Sequence, residues 1–492
     1  MMKSSYRLSA VLLTSAALAG CAVGPNYVRP SAPLSPTFKE APGGWSPAAP
    51  ADTLDRGDWW TLFGDPILNG LEAKVQVSNQ NVIAAEAAYR EARAVVAADR
   101  AQLFPTVDLT GSGTKSGTGG NGSGAGTVIT GAGGSTVIAG GGSSTTTQYR
   151  VSADVSWAPD IWGRIRRTIE GAKSNAQASA ADLAAAKLTA QAELATDYFG
   201  LRAADAEIAL DQATVTAYQR TLTITQNRYN AGTTVRSDVY QAQTQLANAQ
   251  SDLAGQTQAR DDFEHAIAVL TGEAPGGFTL AAAPWIGTVP AVPPTVPSAI
   301  LQRRPDIAGA ERRVQAANAQ IGVQVAAYYP DITLSGSYGF AATELGHLFS
   351  SANSLWSYGG SIAETIFDAG ARRAQVNQAK AAHDQAVAQY RETVLEALQT
   401  VEDQLAATRV LAQQADLRAQ ASTAADAAEK IFLNQYSSGT VVYTDVVTAE
   451  TAAYTARLAV VQTAAQRQTT AVALIQSLGG GWKANTDPKV SR

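Results

Sequence analysis

The chain has 492 residues and a formal net charge of −5, from 37 Lys and Arg against 42 Asp and Glu, and only 16% of its residues are charged. No basic stripe is present, which argues against nucleic acid as a partner. Past residue 20, no apolar run reaches the length of about 18 residues that indicates a transmembrane helix. Any membrane crossing would therefore use strands of a closed barrel.

Residues 1–20 have the pattern of a secretory signal. Lys3 and Arg7 precede the apolar run Leu8–Ala19, which is too short to span a membrane but suits a signal peptide. The run ends in "LAGC", which resembles the bacterial lipobox, and Cys21 is the only cysteine of the chain. We therefore predict that residues 1–20 are removed and that the Cys21 thiol is lipidated. An ordinary signal peptide with an incidental cysteine is the alternative.

Lipid on Cys21 would also decide where the protein resides. Several acyl chains make a stable membrane anchor. In bacterial lipoproteins an aspartate directly after the cysteine favours retention at the inner membrane, and this chain has Ala22 at that position. The sequence thus predicts an outer-membrane lipoprotein that extends into the periplasm.

Two copies of one pattern fill most of the chain. "NRYNAGTTVRSDVY" begins at Asn227, and "NQYSSGTVVYTDVV" begins at Asn434, 207 positions later. The same offset relates Gly163 to Gly370. Copies of about 200 residues are longer than the units of solenoid proteins. The pattern indicates that a whole half-structure was duplicated.

Each copy begins with a helix that a proline ends, Pro105 in the first copy and Pro330 in the second. Apolar and polar residues then alternate at 151–157 and at 332–340. This period of two predicts strands with one polar face.

Further strands complete each pair. Trp356, Tyr358 and Ile362 indicate the returning strand of the second copy. In the first copy, the glycine-rich tract Gly111–Gly142 lies within the strand region, and we expect it to form a flexible, outward-facing loop. The chain therefore carries about four amphipathic strands.

A long helix follows each strand pair. Residues 163–229 contain no proline, and a helix of that length measures about 100 Å. Apolar residues recur there every seven positions, which is typical of a coiled-coil seam. Gly232 and Gly439 each predict a left-handed cap and a tight turn into a shorter returning helix. The residues that recur every seven positions are Leu194, Leu201, Ile208, Val215, Leu222 and Tyr229.

Four strands cannot close a spanning barrel alone, because the smallest such barrels use about eight and unpaired edges are not tolerated in lipid. Two copies would supply about eight strands, which side chains nearly fill, whereas three leave room for a lumen. The predicted fold class is an α+β membrane protein, internally duplicated. It is a trimeric β-barrel of about 12 strands, continued by a long α-helical coiled-coil barrel.

Several segments resemble the outer-membrane efflux protein family, the TolC-like channels, in their OprM/NodT-like lipoprotein branch. They are "GCAVGPNYVRP" from Gly20, "WWTLFGDPILNGL" from Trp59, "LQRRPDIAGAE" from Leu301 and the two Y-x-x-G-T turns. The resemblance covers nearly the whole chain. It implies a homotrimeric duct for drugs or other small molecules. Such a duct joins an inner-membrane pump, commonly of the resistance-nodulation-division type, through a periplasmic adaptor protein.

The resemblance also implies a gate at the periplasmic helix tips. By position, Tyr436 is the tip tyrosine, Asp238 its partner on the neighbouring coil, and Asp445 part of the constriction. Many members have a second acid where this chain has Thr448, so we expect fewer charges at the gate. Alternatively, Tyr436 and Asp445 only cap and pack a turn. The tip residues expected to meet the adaptor are Gly232, Thr233, Gly439 and Thr440.

No residue pattern favours catalysis. The histidines, His265, His347 and His383, are far apart and have no metal-binding motif, and the G-x-S-x-G elbow of serine hydrolases is absent. We predict no enzyme activity, no metal and no cofactor besides the lipid on Cys21. Two rival functions remain: a duct for type I protein secretion, and a non-conducting, lipid-anchored periplasmic scaffold.

The sequence divides into six predicted segments, bounded by its composition and its repeats. They are the signal peptide 1–20, a lipid-anchored proline-rich segment 21–58, the first repeat 59–271, a proline-rich linker 272–298, the second repeat 299–478 and a disordered tail 479–492.

Overall fold

A computed structural model of the protein describes residues 22–32, 39–40, 57–118, 129–130, 136–137, 144–290 and 304–480. The predicted signal peptide, Cys21, much of the proline-rich segment and nearly all of the predicted tail lie outside these residues. The chain forms two compact units. One comprises Met1–Tyr27, Ala94–Lys173 and Ala316–His383, and the other Val28–Arg93, Ser174–Gln315 and Asp384–Arg492.

The described residues form long helices and one main sheet. The helices are α1 (Pro66–Ser78), α2 (Gln80–Ala101), α3 (Arg164–Asn230), α4 (Arg236–Leu270), α5 (Pro305–Ala326), α6 (Ala371–Ser437) and α7 (Tyr443–Ser477). The main strands are β1 (Thr106–Thr118), β2 (Ser144–Trp157), β3 (Asp331–Ala342) and β4 (Ser354–Ala363). Short 3-10 helices lie at Trp59–Phe63, Pro275–Gly277, Leu345–His347 and Ser351–Asn353. A second, two-stranded sheet pairs Ile129–Thr130 with Thr136–Val137.

The helices confirm the duplication. The long helices α3 and α6 have 67 residues each, and the returning helices α4 and α7 have 35 each. Every pair of corresponding ends is separated by 207 positions, from Arg164 to Ala371 at the start and from Leu270 to Ser477 at the finish. Among the described residues, no helix has the length and apolar character needed to cross a membrane.

The four main strands form one antiparallel sheet in the order β1-β2-β3-β4, as the alternation predicted. Residues opposite each other in the register share a face, so Val107 lies opposite Val155 and Tyr338 opposite Trp356. This face is apolar in all four strands, and most of its large side chains are exposed. Its exposed members include Val107, Leu109, Val155, Trp157, Leu334, Tyr338, Trp356, Tyr358 and Ile362.

The opposite face of the sheet is polar. The Thr110 hydroxyl lies 2.9 Å from that of Ser152, and both donate to Asp154, over 3.1 and 3.0 Å. Further along, the hydroxyls of Ser337 and Ser357 are 3.2 Å apart. The sheet therefore has one face suited to lipid and one suited to water.

The expectation of a loop throughout the glycine-rich tract is wrong for its first residues. Thr106–Thr118 is a continuous strand paired with β2, and Gly111 and Gly113 lie within it. Their register partners on β2 are Val151 and Tyr149, and the Tyr149 ring lies against Gly113. The neighbouring strand thus supplies the packing that a glycine lacks, which offsets its weak strand propensity.

The predicted seven-residue stripe of α3 is only partly a buried seam. Leu194 and Leu201 are fully buried, but Tyr229 is exposed. Val215 and Leu222 are half-buried and pack on a cluster that includes Leu246 of α4. The apolar stripe therefore contributes to the α3–α4 hairpin, while a second, polar stripe on α3 is the better buried. Its members are Glu207, Asp211, Thr214, Tyr218, Thr221 and Thr225.

Candidate functional site

The two helix tips end in the same turn. At the first tip the Gly232 N–H donates to the Tyr229 carbonyl and the Thr233 N–H to the Arg228 carbonyl, both over 2.9 Å. At the second tip Gly439 and Thr440 make the equivalent bonds, each over 3.0 Å. Both glycines have positive φ, 74° and 83°. These are the paired bonds of a Schellman cap. All four predicted tip residues are exposed.

Tyr436 is the buried centre of the second tip, with 1% of its surface exposed. Its hydroxyl donates to the Thr225 hydroxyl of α3 over 3.2 Å. The Arg228 guanidinium lies 4.6 Å from the centre of the Tyr436 ring and donates to the Tyr436 carbonyl. Tyr443 packs on the same ring at 5.6 Å. Tyr436 thus joins the second hairpin to α3 of the first.

The structure places the other predicted gate residues near the tips without joining them to Tyr436. Asp238, in the first turn of α4, accepts a hydrogen bond from the Thr234 hydroxyl. Asp445 is half-buried in the first turn of α7. Thr448 is exposed, and its hydroxyl donates to the Thr444 carbonyl over 2.8 Å. Within one chain the Tyr436 hydroxyl therefore bonds Thr225. Its predicted pairing with Asp238 on a neighbouring coil stays a prediction.

Behind the tip, α3 and α7 meet along a polar seam. The Thr221 hydroxyl donates to Glu450 Oε1 over 2.8 Å, and the Tyr454 hydroxyl donates to Asp211 Oδ1 over 2.9 Å. Glu450 is only 3% exposed, and no described group hydrogen-bonds its Oε2. Asp211 Oδ2 is likewise buried without a described partner. The seam therefore holds two carboxylates that are each half satisfied.

Burial perturbs both carboxylates of the seam. It raises the pKa of Glu450 to about 7, with a further upward contribution from the Glu429 carboxylate and a downward one from the Thr221 hydrogen bond. Burial also raises the pKa of Asp211, against the hydrogen bond from Tyr454. Because a charged carboxylate is poorly stabilised there, the seam favours the protonated acid. The packing of α3 against α7 therefore depends on pH near neutrality.

Sequence reasoning missed Arg228, Thr221 and Glu450. Arg228 directly precedes the tip tyrosine of the first copy, a position from which it reaches across to the second hairpin. The polar stripe on α3 could have been predicted, because its polar residues recur every three or four positions from Glu207 to Thr225. Its partner on α7 could not be read, because the contact joins positions more than 200 residues apart.

The residues just after Cys21 are held by the helix that follows β2. The Val23 N–H donates to the Trp162 carbonyl over 3.1 Å, and Arg167 donates to the carbonyls of Val23 and Gly24 over 3.1 and 3.2 Å. Gly163 has φ +79°, and a Cβ there would lie 2.6 Å from Ala22 Cα. Cys21 itself lies outside the described residues. The start of the predicted mature chain is nevertheless fixed to the unit that contains the sheet.

A sheet with one lipid-suited face, together with two long hairpins, defines a subunit of a membrane channel. The family model described as "Outer membrane efflux protein" matches residues 73–273 and 296–480. The chain belongs to the outer membrane efflux protein family.

Individual relatives are similar to this chain over nearly its whole length. The toluene efflux pump outer membrane protein TtgC of Pseudomonas putida is 29% identical over 482 residues, covering 97% of this chain and 96% of the relative. The cation efflux system protein CusC of Escherichia coli is 27% identical over 469 residues, covering 95% and 97%. The solved outer-membrane channel OprN superimposes with a TM-score of 0.81 at 29% identity, covering 94% of this chain and all of that one. The predicted α+β fold of this family is confirmed.

Proposed function

We propose that three copies of this protein form the outer-membrane exit duct of a tripartite efflux system. The observation that carries the proposal is the four-stranded sheet, with an exposed apolar face and no strand partner on the outer edge of β1 or β4 among the described residues. Unpaired strand edges are too costly for a lipid environment. Three sheets joined edge to edge supply about twelve strands and remove every edge.

We infer the remaining parts of the system from the predicted mature N-terminus and from the helix tips. Lipid on Cys21 would anchor the mature N-terminus in the outer membrane, close to the sheet unit that holds Val23. The exposed tips at Gly232–Thr233 and Gly439–Thr440 would meet a periplasmic adaptor protein. An inner-membrane pump, of the resistance-nodulation-division type, would supply the energy, and the duct itself would be passive.

Small organic molecules are the proposed cargo. TtgC is named for toluene efflux and CusC for cation efflux. Both methionines of this chain, Met1 and Met2, and its single cysteine, Cys21, fall at or before the predicted lipidation site. Soft metal cations prefer thiolate and thioether ligands. The mature chain offers neither ligand, so we favour an organic cargo over a soft metal ion.

The gate is proposed at the helix tips. Tyr436 and Asp238 would hold neighbouring coils together, and Asp445 would narrow the pore. The Arg228 guanidinium supports this assignment, because it ties the Tyr436 backbone and ring to the first hairpin. A hydrogen bond to a charged group is worth about 1.5–3 kcal/mol, so a few such bonds can hold a two-state gate closed.

Single-channel conductance in a planar bilayer tests the duct and the gate together. We expect the wild-type trimer to be nearly closed, and the double variant Asp238→Ala/Tyr436→Phe to conduct well. Tyr229→Phe is the matched control, because Tyr229 occupies the same repeat position but is exposed, and it should behave as wild type. Equal conductance of wild type and double variant would reject the gate residues. An inserted trimer that never conducts would reject the duct.

Efflux itself is tested in a strain that lacks its own outer-membrane duct. Expression of this protein with its adaptor and pump should restore tolerance to an organic solvent. Cys21→Ser should abolish acyl labelling of the mature protein, which separates lipidation from transport. Restored protein secretion without restored solvent tolerance would favour a secretion duct instead.

A further inference from the structure

The turn after β4 contains two exposed apolar side chains. Ile366 and Phe367 are 89% and 85% exposed, among the highest values for large apolar residues in the described chain. Single exposed apolar side chains are common on protein surfaces, but these two are adjacent and lie on a turn that hydrogen bonds hold in place. Adjacent exposed apolar side chains on a fixed backbone are typical of a contact with another molecule.

Hydrogen bonds accepted by Asp368 and donated by Arg372 fix this turn. Asp368 accepts from the Gly370 N–H over 2.9 Å and from Arg372 Nε over 2.7 Å. Arg372 also bonds Glu364 over 3.1 Å, and its guanidinium lies 5.3 Å from the centre of the Tyr328 ring. The turn is thus tied to both its flanks. Ile366 and Phe367 are held in an exposed position and do not fold back on their own chain.

The first copy of the repeat has Pro159 and Asp160 at the positions that correspond to Ile366 and Phe367. Asp160 caps α3 by accepting from the Ile165 N–H over 2.9 Å and from Arg166 Nε over 3.1 Å. Here Trp162 is half-buried, stacks on Tyr329 at 4.8 Å and donates to the Pro330 carbonyl over 2.9 Å. The large apolar side chain nearest this turn, Trp162, is therefore covered within the chain, whereas Ile366 and Phe367 of the second turn are exposed.

The sheet shows which surface would lie beside the bare turn. β1 begins at Thr106, opposite the end of β2, and β4 ends at Ala363, opposite the start of β3. Both ends lie on the same side of the sheet. If β4 of one copy pairs antiparallel with β1 of the next, residues just after Ala363 come beside residues just before Thr106. Phe104 occupies that position and is 69% exposed.

We propose that Ile366 and Phe367 of one copy pack on Phe104 of the next copy, forming an apolar lock at each junction between sheets. The inference rests on the proposed function, because it requires copies that pair β4 with β1. It adds a defined contact just outside the sheet, where strand pairing has ended. Three copies arranged in a ring contain three such locks, and in each one the exposed side chains of Ile366 and Phe367 become covered.

Engineered cysteines test the contact directly, because Cys21 is the only natural cysteine. In the intact trimer, Phe104→Cys/Phe367→Cys should be linked into dimers and trimers by oxidation or by a short bis-thiol reagent. Phe104→Cys/Leu345→Cys is the control, since Leu345 is also exposed but lies in the turn between β3 and β4, at the other end of the sheet. Intact trimers that are not linked in the first variant, or are linked equally in the control, would overturn the proposal.

A second measurement separates packing from proximity. Phe367→Ser should raise the equilibrium constant for trimer dissociation in detergent by at least about tenfold for each junction that breaks, because burying a Phe side chain is worth roughly 1.5–3 kcal/mol. Leu345→Ser, which removes an exposed apolar residue away from the junction, should leave it unchanged. If Phe367→Ser dissociates no more than Leu345→Ser, the lock is wrong even though the duct stands. If the wild type never forms trimers, the duct and the lock fail together.

Discussion

Glu450 gives the sharpest prediction, because it is a buried carboxylate with one unpartnered oxygen in the seam between α3 and α7. The change is Glu450→Gln, which keeps the shape of the side chain and imitates the protonated acid. The Thr221 hydroxyl can still donate to the amide oxygen as it donates to Oε1. We expect the variant seam to stay closed at every pH where the wild-type seam loosens.

The raised pKa of Glu450 determines whether the closed seam becomes more or less stable as the pH rises. Burial raises the pKa of Glu450 from 4.5 to about 7, so the closed seam binds more protons than an open, hydrated one. The closed seam is therefore favoured at low pH and weakened as the pH rises through this range, with the full penalty present above about pH 7. A shift of this size corresponds to roughly 3 kcal/mol. Between about pH 5 and pH 8, opening should increase about 50- to 100-fold.

Cysteine accessibility measures this opening. Ala453→Cys places a thiol at a fully buried position of α7, and Ala452→Cys places one at the exposed neighbour. Dividing the rate of maleimide labelling at position 453 by the rate at position 452 cancels the pH dependence of thiol reactivity. This ratio should rise with pH in the wild-type background and stay flat with Glu450→Gln. Glu392→Gln, an exposed carboxylate on α6, should leave the rise intact. A rise that persists with Glu450→Gln would refute the assignment.

Two further changes probe the tip and the mature N-terminus. Arg228→Ala removes the cation–π contact and the hydrogen bond to Tyr436, so it should destabilise the tip by about 1–3 kcal/mol and raise the open probability in bilayers; the exposed Arg220→Ala should not. Gly163→Ala adds a Cβ that would clash with Ala22 at a residue with φ +79°, so it should release the N-terminal segment to limited proteolysis. Gly276→Ala, which has open space, should leave the digestion pattern unchanged.

Local patterns predicted most of the fold. The tip turns were legible because a glycine past a helix end has one favoured conformation, and Gly232 and Gly439 both adopt it. Alternation at 151–157 predicted β2 because one strand face meets water and the other does not. β1 was less legible, since Gly111 and Gly113 carry no side chain to alternate. Their strand is set by the register with β2, which is a non-local property.

The candidate site was only partly predictable for the same reason. Tyr436 was singled out by its place in the repeat, and it is indeed buried at the tip. Its repeat partner Tyr229 is exposed, although the two have the same local sequence pattern. The difference arises because Arg228 and Thr225 of the first copy cover Tyr436. The second copy has Gln435 and Phe432 where the first has Arg228 and Thr225, so it lacks the side chains that could cover Tyr229 in the same way.

The faces of α3 differ in what holds each neighbouring helix. Toward α4, its own hairpin partner, Leu222 and Val215 pack on Leu246. Toward α7, Thr221 donates to Glu450, whose free oxygen would regain hydration on opening. Leu222 and Ile224 also pack on an apolar cluster that joins the hairpins, and exposing such a contact to water costs about 25 cal/mol for each Å² of apolar surface. The cluster consists of Ala242, Tyr436, Tyr443 and Val446. The polar seam therefore supplies the pH-dependent part of the contact between the hairpins, and the apolar cluster holds them together at every pH.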